Sequence, residues 1–220
     1  MELSAVLLAR VIGFIETSDL NPRGTVPFAK ITELVVRRFG FSRYPQSASD
    51  YDEQKGVEFA DGYLDGIVID KLTIWTNGIG VDVRSSTDDG KRILEDSLSW
   101  LKGELGLKYE QHMIRRWAYL SQVTLYSGVN LSAHSTAIRN LCDRLSKELG
   151  HLQSSAFEFS VTGINLGFDR TVKTLPIAEF TIQRRADTPF EDRKYYSQAP
   201  LPTAIHLQLL EQFENDMLTR

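Results

Sequence analysis

The chain has 220 residues, of which 42% are hydrophobic and 25% charged, and this composition indicates a folded globular protein rather than a disordered one. The formal net charge of −4 excludes a general attraction to nucleic acid or to an anionic membrane. A single cysteine, Cys142, cannot form an intrachain disulfide, which is typical of a protein from a reducing compartment.

The N-terminal residues are apolar, but they lack the basic region and the small-residue cleavage site of a secretory signal peptide. No run approaches the ~18 consecutive apolar residues that a membrane-spanning helix requires. We therefore expect a cytoplasmic protein that does not bind membranes.

The first half of the chain predicts an early strand and helix, followed by a series of short strands. Residues 5–16 are β-branched and aromatic enough for a buried strand. Residues 28–39 have apolar side chains at helical spacing, with Pro27 suited to the first turn and Gly40 to the C′ position. We next expect a polar loop over 41–55, a short strand and turn over 56–66, and strands over 67–76 and 79–85.

The dipeptide Asn77-Gly78 is one of the strongest short signals for a β-hairpin, because a type I′ turn needs two residues with positive φ. A two-residue loop at these positions places Ile74 opposite Val81 and collects the strongly apolar side chains on one face. On the other face Trp75 lies opposite Gly80, whose bare backbone can accommodate the indole ring. The segment therefore predicts a hairpin and not a dinucleotide-binding loop, since the third glycine of that motif is missing.

A cluster of hydroxyl and acidic residues joins the last of these strands to a helix predicted over 87–105. Ser86 is the expected N-cap, with Thr87 as the alternative. Asp88 and Asp89 place negative charge at the positive end of the helix dipole. The cluster therefore indicates a joint between a strand and a helix.

The same cluster leaves a metal site open as an alternative. Asp82, Asp88 and Asp89 offer three carboxylates, one on the strand and two just after it, which suits a divalent cation. Because nearly every helix has a cap and few have a metal site, we favour the capping role. We accordingly expect no metal and no other cofactor.

The second half of the chain predicts a long strand, a helix, two further strands, a polar loop and a final helix. Hairpins predominate over the whole chain, and the strict strand–helix alternation of a doubly wound fold is absent. We therefore predict an α+β fold with a largely antiparallel sheet and three to four helices packed on it. The expected ranges of these later elements are 113–128, 131–150, 156–168, 175–185, 187–202 and 203–219.

We expect residues 1–183 to form a single core domain, and residues 184–220 to form a loop and an amphipathic helix that docks on the core or on a partner. The apolar stripe of this helix consists of Ile205, Leu209, Leu210, Phe213 and Met217. The candidate partner-binding residues of the tail are Arg184, Arg185, Tyr195, Tyr196, Leu207 and Leu218.

The remaining candidates for catalysis give weaker signals. Cys142 lies on a helical apolar stripe and is expected to be buried and inert. The chain contains no phosphate-binding loop of the Walker type and no nucleophile elbow. We expect all four histidines at the surface or at element boundaries, because none stands at zinc-ligand spacing: His112, His134, His151 and His206.

Two dispersed groups of charged residues leave alternative functions open. The arginine pairs 37–38, 115–116 and 184–185 lie near aromatic residues in sequence and could form a nucleic-acid-binding face. Carboxylates for a metal-dependent hydrolase or nuclease could come mainly from the 58–89 region. These acidic residues are Glu58, Asp61, Asp65 and Asp70, with Glu158 and Glu179 on later strands.

The sequence favours a protein that acts by binding other proteins, or by self-association as a subunit of an assembly, without an evident catalytic site. This interpretation depends on the aromatic-rich tail, the wide apolar face of the final helix, and the lack of a convincing catalytic constellation. The first alternative is a metal-dependent hydrolase or nuclease. The second is a nucleic-acid-binding module, which the negative net charge makes less favoured.

Overall fold

The computed structural model describes residues 1–131, 136–156, 158–169, 171 and 177–219. Within them lie eight β-strands and five α-helices. In chain order they are β1 (Glu2–Phe14), α1 (Thr17–Leu20), α2 (Phe28–Phe39), β2 (Val57–Leu64), β3 (Ile67–Trp75), β4 (Gly78–Val83), α3 (Thr87–Leu105), β5 (Arg116–Tyr126), α4 (Thr136–Gln153), β6 (Gly163–Leu166), β7 (Phe180–Arg184), β8 (Lys194–Ala199) and α5 (Thr203–Leu218).

The eight strands form one antiparallel sheet in the order β2-β3-β4-β1-β5-β8-β7-β6. Strands β2, β3 and β4 are neighbours both in the chain and in the sheet, as are β6, β7 and β8, so hairpins predominate. The predicted α+β fold with a largely antiparallel sheet is confirmed. No helix in the described part of the chain has the length and hydrophobicity that a membrane crossing requires.

The chain divides into two compact units. Unit 1 comprises Met1–Ala5, Val123–Gln198 and Leu209–Arg220. Unit 2 comprises Val6–Gln122 and Ala199–Gln208. Strands β1 and β5 and helix α5 each contribute residues to both units.

The hydrophobic core of unit 2 is formed by strands β1 to β4 together with α2 and α3. Helix α2 follows Pro27 and ends at Gly40, whose φ of 64° is left-handed, as the sequence predicts. Its residues Val35 and Phe39 are buried because apolar side chains recur at helical spacing on the side that faces the strands. Helix α3 contributes Ile93, Leu94, Leu98 and Leu101 to the same core.

The hairpin between β3 and β4 forms at the predicted place but in a different register. Trp75 pairs with Gly78 and Ile74 with Ile79, so the two loop residues are Thr76 and Asn77. The predicted pairing of Ile74 with Val81 is therefore wrong by two positions.

Backbone hydrogen bonds explain why Thr76 leaves the ladder. Its N–H donates to the carbonyl oxygen of Glu53 at 3.2 Å, and its own carbonyl accepts from the N–H of Thr17 at 3.0 Å. A shift of two residues keeps each side chain on the predicted face of the sheet. The indole of Trp75 therefore still covers Gly80, where a Cβ atom would lie only 2.9 Å from the ring.

Ser86 is the N-cap of helix α3, as predicted. The Ser86 hydroxyl accepts from the N–H of Asp89 at 3.1 Å and donates to its carboxylate at 3.0 Å. Thr87, the alternative cap, is buried and bonds elsewhere: its hydroxyl accepts from the N–H of Thr203 at 2.8 Å. The Thr203 hydroxyl in turn accepts from the N–H of Thr87 at 3.1 Å. The first residues of α3 and α5 therefore satisfy each other's backbone donors.

Replacing Ser86 by alanine is expected to lower the free energy of unfolding by about 1 kcal/mol, because the N–H of Asp89 loses its acceptor. The measurement is urea denaturation of the two proteins. Ser99 is the matched control, because it is exposed on the same helix and its hydroxyl only donates to the carbonyl of Glu95. Ser99→Ala should change stability little, and an equal loss at both positions would contradict the capping role.

Strand β8 corrects the prediction that residues 187–202 form a loop. Lys194–Ala199 pairs with β7, with Ile182 opposite Ser197 and Arg184 opposite Tyr195. Alternate residues of β8 are buried, but one of them is a serine, so the hydrophobic alternation typical of a strand is weak in this sequence.

The other elements of unit 1 differ from the predictions mainly at their ends. The helix expected over 131–150 spans Thr136–Gln153, and His134 lies outside the described residues. The strand expected over 156–168 is reduced to Gly163–Leu166. Among the described residues of unit 1, the buried apolar side chains are Val123, Leu125, Leu131, Ile182, Tyr195 and Leu210.

Candidate functional site

Helix α4 carries a line of exposed apolar side chains. All of its residues are described, and none of them is buried. Ile138, Leu141, Leu145 and Leu152 are 39%, 56%, 45% and 79% exposed. At 100° per residue, all four point within about 40° of the direction of Leu145. We call these four residues the α4 stripe.

A neighbouring side of α4 is held by the chain segment that follows the helix. The Ser146 hydroxyl donates to the carbonyl of Cys142 at 2.8 Å and accepts from the N–H of Phe159 at 2.8 Å. The carbonyl of Gly150 accepts from the N–H of Ser155 at 3.3 Å. The sequence predicts that Cys142 is buried, but in the structure it is only half-buried on this side of the helix. These contacts fix the helix, and the α4 stripe points away from them.

Four charged residues of α4 lie beside or behind the α4 stripe. Arg144 and Glu148 lie on the flank of the stripe opposite to Ser146, because they stand about −100° and −60° from Leu145. Asp143 and Lys147 point to the back of the helix. In the described part of the chain, none of these four residues forms an ion pair.

Two of the predicted partner-binding residues of the tail meet at Asn130. Arg184 donates to the Asn130 side-chain oxygen at 3.0 Å and to the carbonyl of Phe190 at 2.9 Å. Tyr195 is fully buried, and its hydroxyl donates to Asn130 at 3.2 Å and accepts from the N–H of Leu131 at 3.1 Å. Both side chains therefore have structural contacts inside unit 1.

The other four predicted residues are more accessible. Arg185 is exposed, and its N–H donates to the carbonyl of Lys194 at 2.9 Å. Tyr196 is half-buried, and this burial raises the pKa of its hydroxyl. Leu207 is half-buried in unit 2, while Leu218 is 65% exposed in unit 1. Their role in binding a partner stays a prediction.

Helix α5 turns a different face inward from the predicted one. Ile205 and Leu209, which belong to the apolar stripe predicted to dock on the core or on a partner, are 47% and 43% exposed. The buried positions are Thr203, His206, Leu210 and Glu214. Polar side chains can occupy this face because each finds a hydrogen-bond partner.

His206 and Glu214 are the two buried ionisable groups of α5. The Nδ1 atom of His206 lies 3.0 Å from the hydroxyl of Ser121, and burial lowers the pKa of His206 to about 4. His206 was expected near the surface, and its burial corrects that prediction. Burial raises the pKa of Glu214, but hydrogen bonds from the Met1 amino group, Ser127 and Gly128 outweigh this effect and leave its pKa below the usual value.

The structure separates the three carboxylates of the alternative metal site. Both oxygens of Asp82 accept hydrogen bonds from Arg10, at 2.7 and 2.6 Å. Asp89 belongs to the cap with Ser86, and Asp88 is exposed. Among the described residues, no group of three or more His, Cys, Asp or Glu side chains is placed to hold a metal ion.

The acidic residues of β2 and β3 also have separate partners. Lys71 pairs with Glu58 at 2.8 Å, Arg43 with Asp61 at 2.7 Å, and Arg84 with Asp70 at 2.8 Å. The Arg43 guanidinium holds the pKa of Asp61 below its usual range. These contacts are those of solvated strand carboxylates, each with its own cation.

One member of each arginine pair stacks on an aromatic ring of the same chain. The guanidinium carbon of Arg38 is 4.5 Å from the ring centre of Trp100, and that of Arg116 is 4.1 Å from Phe14. The corresponding distance from Arg184 to Phe190 is 4.4 Å. These arginines therefore have cation–π contacts within the fold.

No protein-family model matches the chain, and no curated protein shows significant similarity to it. The candidate site therefore depends on the residues themselves. The sequence shows the helical spacing of Ile138, Leu141 and Leu145, but spacing alone does not tell whether an apolar face is covered by the chain's own sheet.

Proposed function

We propose that the protein acts by protein–protein contact, and that the contact is a two-fold pairing of α4 with α4 of a second copy. The observation that carries this proposal is the α4 stripe, a set of four exposed apolar side chains on one helix. Exposed apolar residues arranged in a line are typical of an interaction surface, while single exposed ones are normal. Burying a leucine contributes roughly 1.5–3 kcal/mol, so a few on each copy can offset part of the cost of association.

The order of residues along α4 suits an antiparallel pair centred on Leu145. In such a pair Leu145 meets its own counterpart, and Ile138 meets the second copy's Leu152. Two-fold antiparallel packing also brings like flanks together, so Arg144 of each copy lies within reach of the other's Glu148. In a parallel pair, the flank with Arg144 and Glu148 would instead face the Ser146 flank of the second copy. That flank is occupied by the segment around Phe159, so a parallel pair offers no such charge match.

We expect the purified protein to have twice the mass of the chain in solution, and the variant Leu141→Ser/Leu145→Ser to be a monomer. Both side chains are exposed, so the variant should keep its fold. The measurement is light scattering after size exclusion, with circular dichroism to check folding. Leu166→Ser is the matched control, since Leu166 is 57% exposed on β6 of the same unit and should leave the dimer intact.

The charge match gives a second test of the same pairing. Glu148→Arg places like charges opposite each other and should dissociate the dimer. Adding Arg144→Glu to that variant restores opposite charges and should restore the dimer. The pairing is contradicted if the unmodified protein is a monomer. It is also contradicted if the mass in solution is the same for the unmodified protein and for both charge variants.

The proposal includes a cytoplasmic setting, supported by the single cysteine, and no catalytic role. The hydrolase alternative uses carboxylates of the 58–89 region, and Glu58, Asp61, Asp70 and Asp82 each pair with a lysine or arginine of the chain. The nucleic-acid alternative requires arginines that contact aromatic rings of their own chain. No observation favours either alternative over self-association.

A further inference from the structure

Unit 2 contains a cavity of about 440 Å³ at one side of its core. This volume lies within the range of small-molecule binding sites, roughly 300–1,000 Å³. The walls are mostly apolar and are formed by Leu20, Ile74, Ile79, Leu98, Leu101 and Leu107. All six are buried, so the cavity reaches into the hydrophobic core and is not a shallow surface groove.

A second cavity of about 30 Å³ is bounded in part by the same Ile74, Ile79, Leu98 and Leu101. The larger cavity, at about 440 Å³, has space for an alkyl chain among these apolar side chains.

Both charged residues in the described lining of the larger cavity are glutamates, and they mark its mouth because both reach solvent. Glu16 is exposed there and Glu53 is half-buried, and in the described part of the chain neither forms an ion pair. Glu53 accepts one hydrogen bond, from the Thr17 hydroxyl at 3.2 Å. Among the described residues that line the cavity, none is a lysine, arginine or histidine. A ligand with a cationic end is therefore favoured at the mouth, and an anionic one is repelled.

We propose that this cavity binds an amphiphilic amine, whose alkyl chain lies among the six apolar residues and whose ammonium group lies between Glu16 and Glu53. The site has no residue in common with α4, so it is independent of self-association. The alkyl chain of the ligand contributes to binding through burial of its apolar surface. Its ammonium group contributes through charge-assisted hydrogen bonds to the two carboxylates.

The test is calorimetric titration of the full chain with three probes of equal chain length: octylammonium, 1-octanol and octanoate. Octylammonium should bind at least about tenfold more tightly than octanoate, with octanol between them. The variant Glu16→Gln/Glu53→Gln keeps the shape of the mouth. It should weaken octylammonium binding about tenfold and leave octanol binding unchanged.

Glu104→Gln is the matched control, because Glu104 is exposed on α3 and does not line the cavity. It should leave all three affinities unchanged. The proposal is overturned if octanoate binds as tightly as octylammonium, if the double variant binds octylammonium as the unmodified protein does, or if none of the probes binds at millimolar concentration.

Discussion

Replacing Gly62 by alanine is expected to lower the free energy of unfolding by about 2 kcal/mol, one of the larger losses expected of a single added methyl group. A Cβ atom at this position would overlap the ring of Phe41. The ring cannot move aside easily, because Phe41 is buried and lies 5.6 Å, centre to centre, from both Phe39 and Phe59. Overpacking of such a tight cluster displaces either the rings or strand β2.

Gly103→Ala is the matched control for this prediction, and its effect should have the opposite sign. Gly103 lies inside α3, and a Cβ atom there would meet nothing within 4 Å. Alanine at an exposed helix position stabilises by up to about 1 kcal/mol relative to glycine. Urea denaturation of both variants measures the difference.

A double-mutant cycle locates the cause of the Gly62→Ala effect. In a Phe41→Leu background the added methyl group has more space, so Gly62→Ala should be less destabilising there. An unchanged loss in that background would show that the ring of Phe41 is not the obstacle.

Lowering the pH from 7 to 5 is expected to reduce the free energy of unfolding by about 2 kcal/mol through His206 alone. Burial lowers the pKa of His206 to about 4, from about 6.5 in the unfolded chain. In this range the unfolded state binds the proton and the folded state does not. The stability due to His206 is therefore complete above about pH 6.5 and is lost as the pH falls toward 4.

The measurement is urea denaturation at several pH values between 7 and 5 for the unmodified protein and for His206→Gln. Glutamine does not titrate, so the variant should show a much flatter dependence, whatever its absolute stability. His112→Gln is the control, because His112 is exposed and its replacement should leave the slope unchanged. Equal slopes for His206→Gln and the unmodified protein would contradict the assigned role.

The α+β class could be predicted because it depends on local patterns of apolar spacing, turn residues and capping residues, which are clear in this sequence. The helix over Thr87–Leu105 was predicted with its ends, since Ser86 and Gly106 are local capping signals. The β3–β4 register could not be predicted, because Thr17 and Glu53, far away in sequence, bond to the backbone of Thr76.

The burial or exposure of several side chains could not be predicted from the sequence, because it depends on which residues each side chain contacts in the fold. His206 and Glu214 are polar, so a pattern based on hydrophobicity assigns them to the surface, yet both are buried beside hydrogen-bond partners. Conversely, Ile138 and Leu141 have the spacing of core residues but remain exposed. The cavity bounded by Leu20 and Leu107 is invisible in sequence, because its residues come from separate segments that meet only in the folded chain.

The most direct test of the proposed self-association is a distance measurement between two copies of α4. Spin labels are attached to cysteine at Lys147 or at Thr136, each in a Cys142→Ser background, and distances are read by pulsed electron paramagnetic resonance. Both positions are exposed on the back of α4, so the label does not disturb the stripe. An antiparallel pair centred on Leu145 predicts backbone separations of roughly 15 Å at Lys147 and roughly 30 Å at Thr136. Nearly equal distances at the two positions, or no dipolar coupling at either, would contradict the pairing.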